Sequence, residues 1–356
     1  MTTEGKTVFV LGAGFTRAFC PAAPLLTDDY DLDALCEKFK EFPRAVELLE
    51  LAQQDTPSGK VNLERLMTRL DGGMPYDSEQ GVEPELRLLL SEVKREFVGR
   101  LQQTGSPDPS KKEVLASLAR FCIDNRVTCV TFNYDDVLDE ALHQVHSATL
   151  GRATILPGFL HWHPDGGYGF LCKPSAELVG GYDTGMGGMA MLLLKLHGSV
   201  NWWLARGSMP PYAIHEIVHH ESWSWHVERS PRELQNIEYH LGPESFIVPP
   251  VLTKSTLVEQ PILRLVWSRA YGQLREADAV VFVGYSLPLT DMAASFLFRE
   301  TLREIDVSRI NVVTLAEDEH VKRNLVQAYT EVFPAISEQQ FDFRGALAWA
   351  RELTAL

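Results

Sequence analysis

Five places along the chain set small or polar residues directly after an apolar, β-branched run. Gly12-Ala13-Gly14 follows Val8 to Leu11, Asn133-Tyr134-Asp135 follows Val127 to Phe132, and His197-Gly198-Ser199 follows Met191 to Leu196. Gly284-Tyr285-Ser286 follows Ala279 to Val283, and Ala316-Glu317-Asp318 closes the run that starts at Arg309. Each group has its own chemistry. Two glycines at a strand-to-helix turn let backbone approach a ligand, and the amides and dipole of the next helix suit an anion such as a diphosphate. An asparagine donates and accepts hydrogen bonds at once, which suits orienting hydroxyls or water. A histidine, with an unperturbed pKa of roughly 6.5, accepts a proton at neutral pH. The glycine turn alone is weak, because Arg17 stands where G-x-G-x-x-G needs its third glycine. A tight βα turn without a ligand fits it equally.

Apolar runs of this kind, each followed by a helical pattern, predict an α/β fold with a Rossmann-like parallel sheet. Ligands of such sheets bind outside the carboxyl ends of the strands, where all five groups fall. Residues 1–30, 111–150, 191–203 and 246–356 form the expected nucleotide-binding core of a single domain. Between them, residues 31–110 read as an inserted helical subdomain, with three- and four-residue apolar spacing in LDALCEKF, AVELLELAQ, NLERLMTRL and PELRLLLSEVKREFVGRLQQ. It serves either as a lid or as plain helical packing. Residues 151–190 and 204–245 read as an irregular insertion rich in glycine and aromatics, including Gly180-Gly181 and Gly187-Gly188. Its tryptophans either stack on a ligand ring or fill a small core.

GAGFT, TFNYD, KLHGS and VGYSL occur in the order and approximate spacing of the sirtuin NAD-binding domain, and together they resemble the divergent bacterial sirtuin-like NAD hydrolases. The resemblance covers Thr7 to Phe19 and Val127 to about Asp318. It implies Asn133 and His197 as catalytic residues at a solvent-facing crevice, so that replacing either leaves stability almost unchanged. It assigns Asp135 to the nicotinamide carboxamide, Gly12, Ala13, Gly14 and Thr16 to the diphosphate and Gly284 and Ser286 to the adenosine side, and it adds Phe15 and Glu317 to the residues that bind the dinucleotide. NAD is then the substrate and no separate cofactor is needed. The resemblance further implies anti-phage defence by NAD depletion, a homo-oligomer, and a separately encoded partner such as a HerA-type ATPase. A sensor that binds NAD or ADP-ribose without cleaving it, or an assembly subunit without intrinsic catalysis, fits the same motifs. Taken residue by residue, Thr16 could instead cap the helix beginning there, and Asp291 reads as a helix N-terminal carboxylate.

The departures narrow the substrate. Protein-deacylating sirtuins hold a zinc ion with two C-x-x-C pairs, whereas Cys20, Cys36, Cys122, Cys129 and Cys172 form none. Cys20-Pro21-Ala22-Ala23-Pro24 stands where deacylases carry P-D-F-R. Water is therefore a better acceptor than acetyl-lysine. A metal site is not expected, although His215-Glu216-Ile217-Val218-His219 matches H-E-x-x-H and on a helix would suit a zinc hydrolase. The longer form of that pattern fails at Ser222 and Trp225. His161 and His163 read as part of a surface turn. With 33 basic and 48 acidic residues, a net charge of −15, the chain is a poor match for a nucleic-acid surface. No run reaches the roughly 18 apolar residues of a membrane span. The scattered cysteines and the lack of a basic leader point to the cytoplasm.

Overall fold

Val8, Phe9, Val10 and Leu11 are buried on both faces of their strand, the pattern of a central parallel strand covered by helices on each side. The computed structural model describes residues 5–25, 30, 32–54, 61, 63–71, 84–102, 107–150, 162, 164–170, 173–174, 191–205, 217–219, 241–248, 260–288 and 291–355. Strand β1 (Thr7–Leu11) leads into α1 (Ala13–Phe19), then α2 (Asp33–Lys38), α3 (Pro43–Gln54), α4 (Leu63–Asp71) and α5 (Pro84–Gln102). The chain returns through α6 (Pro109–Asp124), β2 (Thr128–Thr131) and α7 (Val137–Leu150). Next come α8 (Pro164–Gly167), β3 (Lys173–Pro174), β4 (Leu193–Lys195), β5 (Gly198–Ala205), β6 (Ile217–His219) and β7 (Leu241–Ile247). The last third runs α9 (Pro261–Arg275), β8 (Ala279–Val283), α10 (Met292–Thr301), β9 (Ile310–Val313), α11 (Glu319–Val332), β10 (Phe341–Asp342) and α12 (Ala346–Thr354).

Six strands form one parallel sheet in the order β10-β9-β8-β1-β2-β4. From β4 to β10, the sheet's six strands run third, second, first, fourth, fifth, sixth in chain order. That is the doubly wound Rossmann arrangement, whose winding reverses between β1 and β8. Helices α1, α6, α7 and α12 cover one face and α9, α10 and α11 the other. Phe9 meets Trp349 of α12 edge-on, while Phe282 of β8 packs on Phe298 of α10 and Tyr329 of α11.

The four helices α2 to α5 enclose an apolar cluster of their own, which takes in Tyr134 just beyond β2, Val200 of β5 and Ile247 of β7. Pro84 occupies the first position of α5, where its missing N–H costs nothing. Part of the stretch read as irregular is ordered differently, as a second sheet in the order β3-β6-β5-β7. Trp162 and Trp202 are fully buried there against Tyr168 and Phe170, so these two indoles fill a core. The paired glycines at 180–181 and 187–188 lie outside the described residues. Among the described residues no helix is long and apolar enough to cross a membrane.

Candidate functional site

The glycine turns meet at the point where the winding reverses. The Gly12 amide donates to Val283 O (3.1 Å) and the Gly14 amide to Gly284 O (2.9 Å), which ties the ends of β1 and β8 together. Gly284 has φ +63°, and a Cβ there would lie 2.1 Å from the Phe15 nitrogen and 2.4 Å from Gly14 C. Close approach of two strand ends therefore demands glycine, whatever binds outside them. It also engages amides that the sequence leaves open for an anion, since the Phe15 amide donates to Gly12 O at 2.9 Å. Ala13 and Gly14 remain exposed at the turn, whereas the Phe15 side chain is buried and packs on Phe19.

Behind the turn lies a buried polar chain. Asn133 Nδ2 donates to Gly12 O (2.9 Å) and to Thr16 Oγ1 (3.0 Å), and Thr16 Oγ1 donates to Asp135 Oδ2 (2.7 Å). Asp135 Oδ1 accepts from the Val137 amide at 3.2 Å, at the start of α7. Both N–H groups of the Asn133 carboxamide are thus held, and its Oδ1 accepts nothing from the described residues. Burial pushes the Asp135 carboxyl above its ordinary range, against the opposing pull of the Lys195 charge and the Thr16 and Val137 hydrogen bonds. Thr16 does not cap its helix, because α1 begins at Ala13 with Gly12 before it. Its hydroxyl instead joins β1's turn to β2's. Cys20, at the end of α1, is buried, and its thiol is pushed up to about 12, so it stays protonated and inert.

His197 follows β4 by two residues, and Gly198 at φ +80° turns the chain into β5 immediately after it. The imidazole lies in an aromatic cage: Phe132 edge-on at 5.3 Å, Tyr134 stacked at 5.9 Å and Trp267 at 6.4 Å. Tyr134 is fixed by its hydroxyl on Val248 O (2.8 Å), and Trp267 by its indole N–H on Leu196 O (2.8 Å). The other face of this cage belongs to the helical subdomain, whose Phe97 meets Tyr134 edge-on at 5.5 Å. Asp291 Oδ2 stands 3.7 Å from His197 Nε2, while its Oδ1 accepts from the Ala294 amide at 3.2 Å. The helix-capping role read from the sequence is therefore present, together with a contact that the sequence did not reveal.

Lys195 is another unanticipated member. It is fully buried, with Nζ 3.1 Å from Asp139 Oδ2 and donating to Asp135 O. Tyr168 OH donates to the same aspartate, and Asn201 Nδ2 donates to Tyr168 OH. A lysine inside the apolar run LLLKLH was the available signal, since a lysine is almost never fully buried unless paired.

Gly12, Gly14, Thr16, Asn133, Asp135 and Gly284 are thus brought into one connected group, with His197 beside it across Tyr134. Ser286 and Glu317 are exposed at the ends of β8 and β9, and no described hydrogen bond joins them to the others. Two expectations need correction. Asn133 and His197 are 9% and 3% exposed, so neither lines an open surface, and Asn133 has a bonding role that its loss would disrupt. The helical geometry needed for an H-E-x-x-H zinc site also fails. Ile217–His219 forms strand β6, paired with β5 through Trp202 opposite His219. His161, His163, His215 and Glu216 lie outside the described residues. A groove of about 590 Å³ is lined by α6, α7 and α12 residues such as Arg120, Gln144 and Thr354, away from the strand ends.

No protein-family model matches the chain, and no curated protein does. Among solved structures it is similar to a Sir2 homologue point mutant in complex with ADP-ribose, at 13% identity and TM-score 0.44, over 99% of this chain and 92% of that one. It is also similar to a Sir2 homologue–NAD complex at 12% identity and TM-score 0.42, over 99% of this chain and 89% of that one. The strand order, rather than these distant likenesses, assigns the architecture: a doubly wound α/β sheet with a buried polar group at the reversal of its winding.

Proposed function

We propose that this chain hydrolyses NAD at the nicotinamide–ribose bond. The register of the sheet carries the reading. Leu11 pairs with Thr131 and Thr131 with Lys195, so Ala13, Asn133 and His197 each lie two residues beyond one row across β1, β2 and β4. A diphosphate-sized anion at the glycine turn would set its attached ribose toward the asparagine and histidine. The motif resemblance to sirtuin-like NAD hydrolases supports the same reading.

The bond explains the residue types. Nicotinamide is bound to ribose as a pyridinium, so it departs as a neutral base and needs no proton. The barrier lies in the oxocarbenium-like ribosyl centre and in placing a nucleophile on it. Asn133, with its amide held by Gly12 and Thr16, offers Oδ1 to a ribose hydroxyl or to water. His197 accepts the proton as water adds to the ribosyl carbon. The products are nicotinamide, ADP-ribose and one proton, which passes to solvent. NAD is the substrate, and no cofactor enters. The resemblance extends the proposal to a homo-oligomer serving anti-phage defence, with a partner such as a HerA-type ATPase.

A sensor that binds without cleaving is the second reading. The internal engagement of the Asn133 amide and both Asp135 oxygens favours it, because few polar atoms are left for a ligand. Nicotinamide release by the purified protein, alone and with the candidate ATPase, separates the two. Cleavage that falls by about two orders of magnitude in His197→Ala supports catalysis. NAD binding by calorimetry with no release under either condition gives the sensor, and neither binding nor release removes both.

A further inference from the structure

We infer that Asp291 is a positioning residue for His197: its carboxylate holds the imidazole and offsets the charge the ring acquires on taking a proton. This rests on the hydrolase reading above. Asp291 Oδ2 is 3.7 Å from His197 Nε2, and both side chains are buried, at 10% and 4% exposure. Phe132, Tyr134 and Trp267 pack on the ring and fix its plane. Lys195, two residues away in sequence, directs its ammonium to Asp139 and to Asp135 O.

The carboxylate is itself well placed. Asp291 caps α10 through Oδ1 and faces the ring with Oδ2, and its amide donates to Pro288 O at 3.0 Å. One side chain thus ties the start of a ten-residue helix to the end of β4. The donor–acceptor logic follows. A carboxylate only accepts, so it favours the tautomer with the proton on Nε2 and leaves Nδ1 as the basic nitrogen. When His197 takes a proton from water or a ribose hydroxyl, the ring gains a positive charge beside an anion already present. A separation of 3.7 Å is an ion-pair distance that small closure converts into a hydrogen bond, as catalytic contacts do when a substrate is bound.

Asp291→Asn tests this, because asparagine caps a helix as well as aspartate does while presenting an N–H donor to Nε2. The donor favours the opposite tautomer. NAD cleavage by Asp291→Asn should show kcat reduced by about tenfold to a hundredfold, with KM nearly unchanged. Nitrogen NMR of labelled histidine should show the His197 proton on Nε2 in the parent and on Nδ1 in Asp291→Asn. Asp291→Glu should restore much of kcat, which a purely structural loss would not allow. If Asp291→Asn keeps both the parent kcat and the parent tautomer, the inference is overturned. Should the parent release no nicotinamide with or without the ATPase, the hydrolase reading fails and the tautomer alone decides the pairing. A change of tautomer then sustains it, and no change overturns it.

Discussion

Asn133 is held on two sides, and this sets what its loss should do. Removing its carboxamide leaves Gly12 O and the Thr16 hydroxyl without their donor in a buried place. Asn133→Ala should therefore lower stability by about 1–3 kcal/mol, the cost of a buried polar group left unsatisfied. It should also lower NAD cleavage by roughly two orders of magnitude. Urea titration and nicotinamide release on the same preparation check both. An unchanged denaturation midpoint would contradict the buried chain. Asp135 gives a pH-dependent prediction. Its folded carboxyl keeps a proton above the ordinary carboxylate range, because burial penalises the charge. Its contribution to stability is then fully present below the unfolded value near 3.8 and is lost as pH rises through the higher folded value. Relative to Asp135→Asn, the parent should gain stability as pH is lowered from 7 toward 4. A difference independent of pH would show that the folded and unfolded carboxyls titrate alike.

The ends of β1 and β8 are where a single methyl group matters most. In Gly284→Ala the added carbon meets backbone atoms of Gly14 and Phe15 and also occupies a left-handed φ. Strain of about 1–3 kcal/mol adds to overpacking of about 1–3 kcal/mol, so the variant should be several kcal/mol less stable or unfolded. Calorimetric melting tests this, and a melting temperature equal to the parent's would refute the contact. At this scale much was legible in the sequence. Buried parallel strands read as unbroken apolar runs, and glycines mark the turns, so the five strand ends and the inserted helices α2 to α5 could be placed. The partner of His197 could not, because the chain spacing between His197 and Asp291 says nothing of their distance. That distance follows from the sheet order and from where α10 begins. The second sheet escaped for a related reason: β5 follows β4 after two residues, and only its pairing with β6 and β7 distinguishes a new sheet from a prolonged strand.

For the whole molecule, the proposed hydrolysis of NAD raises the question of how such a site is kept in check. Tyr134 touches both His197 and Phe97 of α5, so the seat of the imidazole and the docking of the helical subdomain share one ring. We expect a homo-oligomer of low basal turnover, accelerated when a partner stabilises the productive packing of that subdomain. Sedimentation and nicotinamide release, measured on the same samples with and without the candidate ATPase, check this. A monomer already at its full rate and indifferent to the partner would remove it. A different consequence follows from the pairing of β1 with β8. The Lys6 amide donates to the Asp278 carboxylate across 272 positions of chain, and Thr7 to Leu11 align with Ala279 to Val283. On the ribosome β1 is made long before β8, and one of its edges stays open until β8 has emerged. Pairings of such separation are slow to form and leave a strand edge exposed meanwhile. The crevice is made by that late closure, so no nascent chain ending before β8 possesses it.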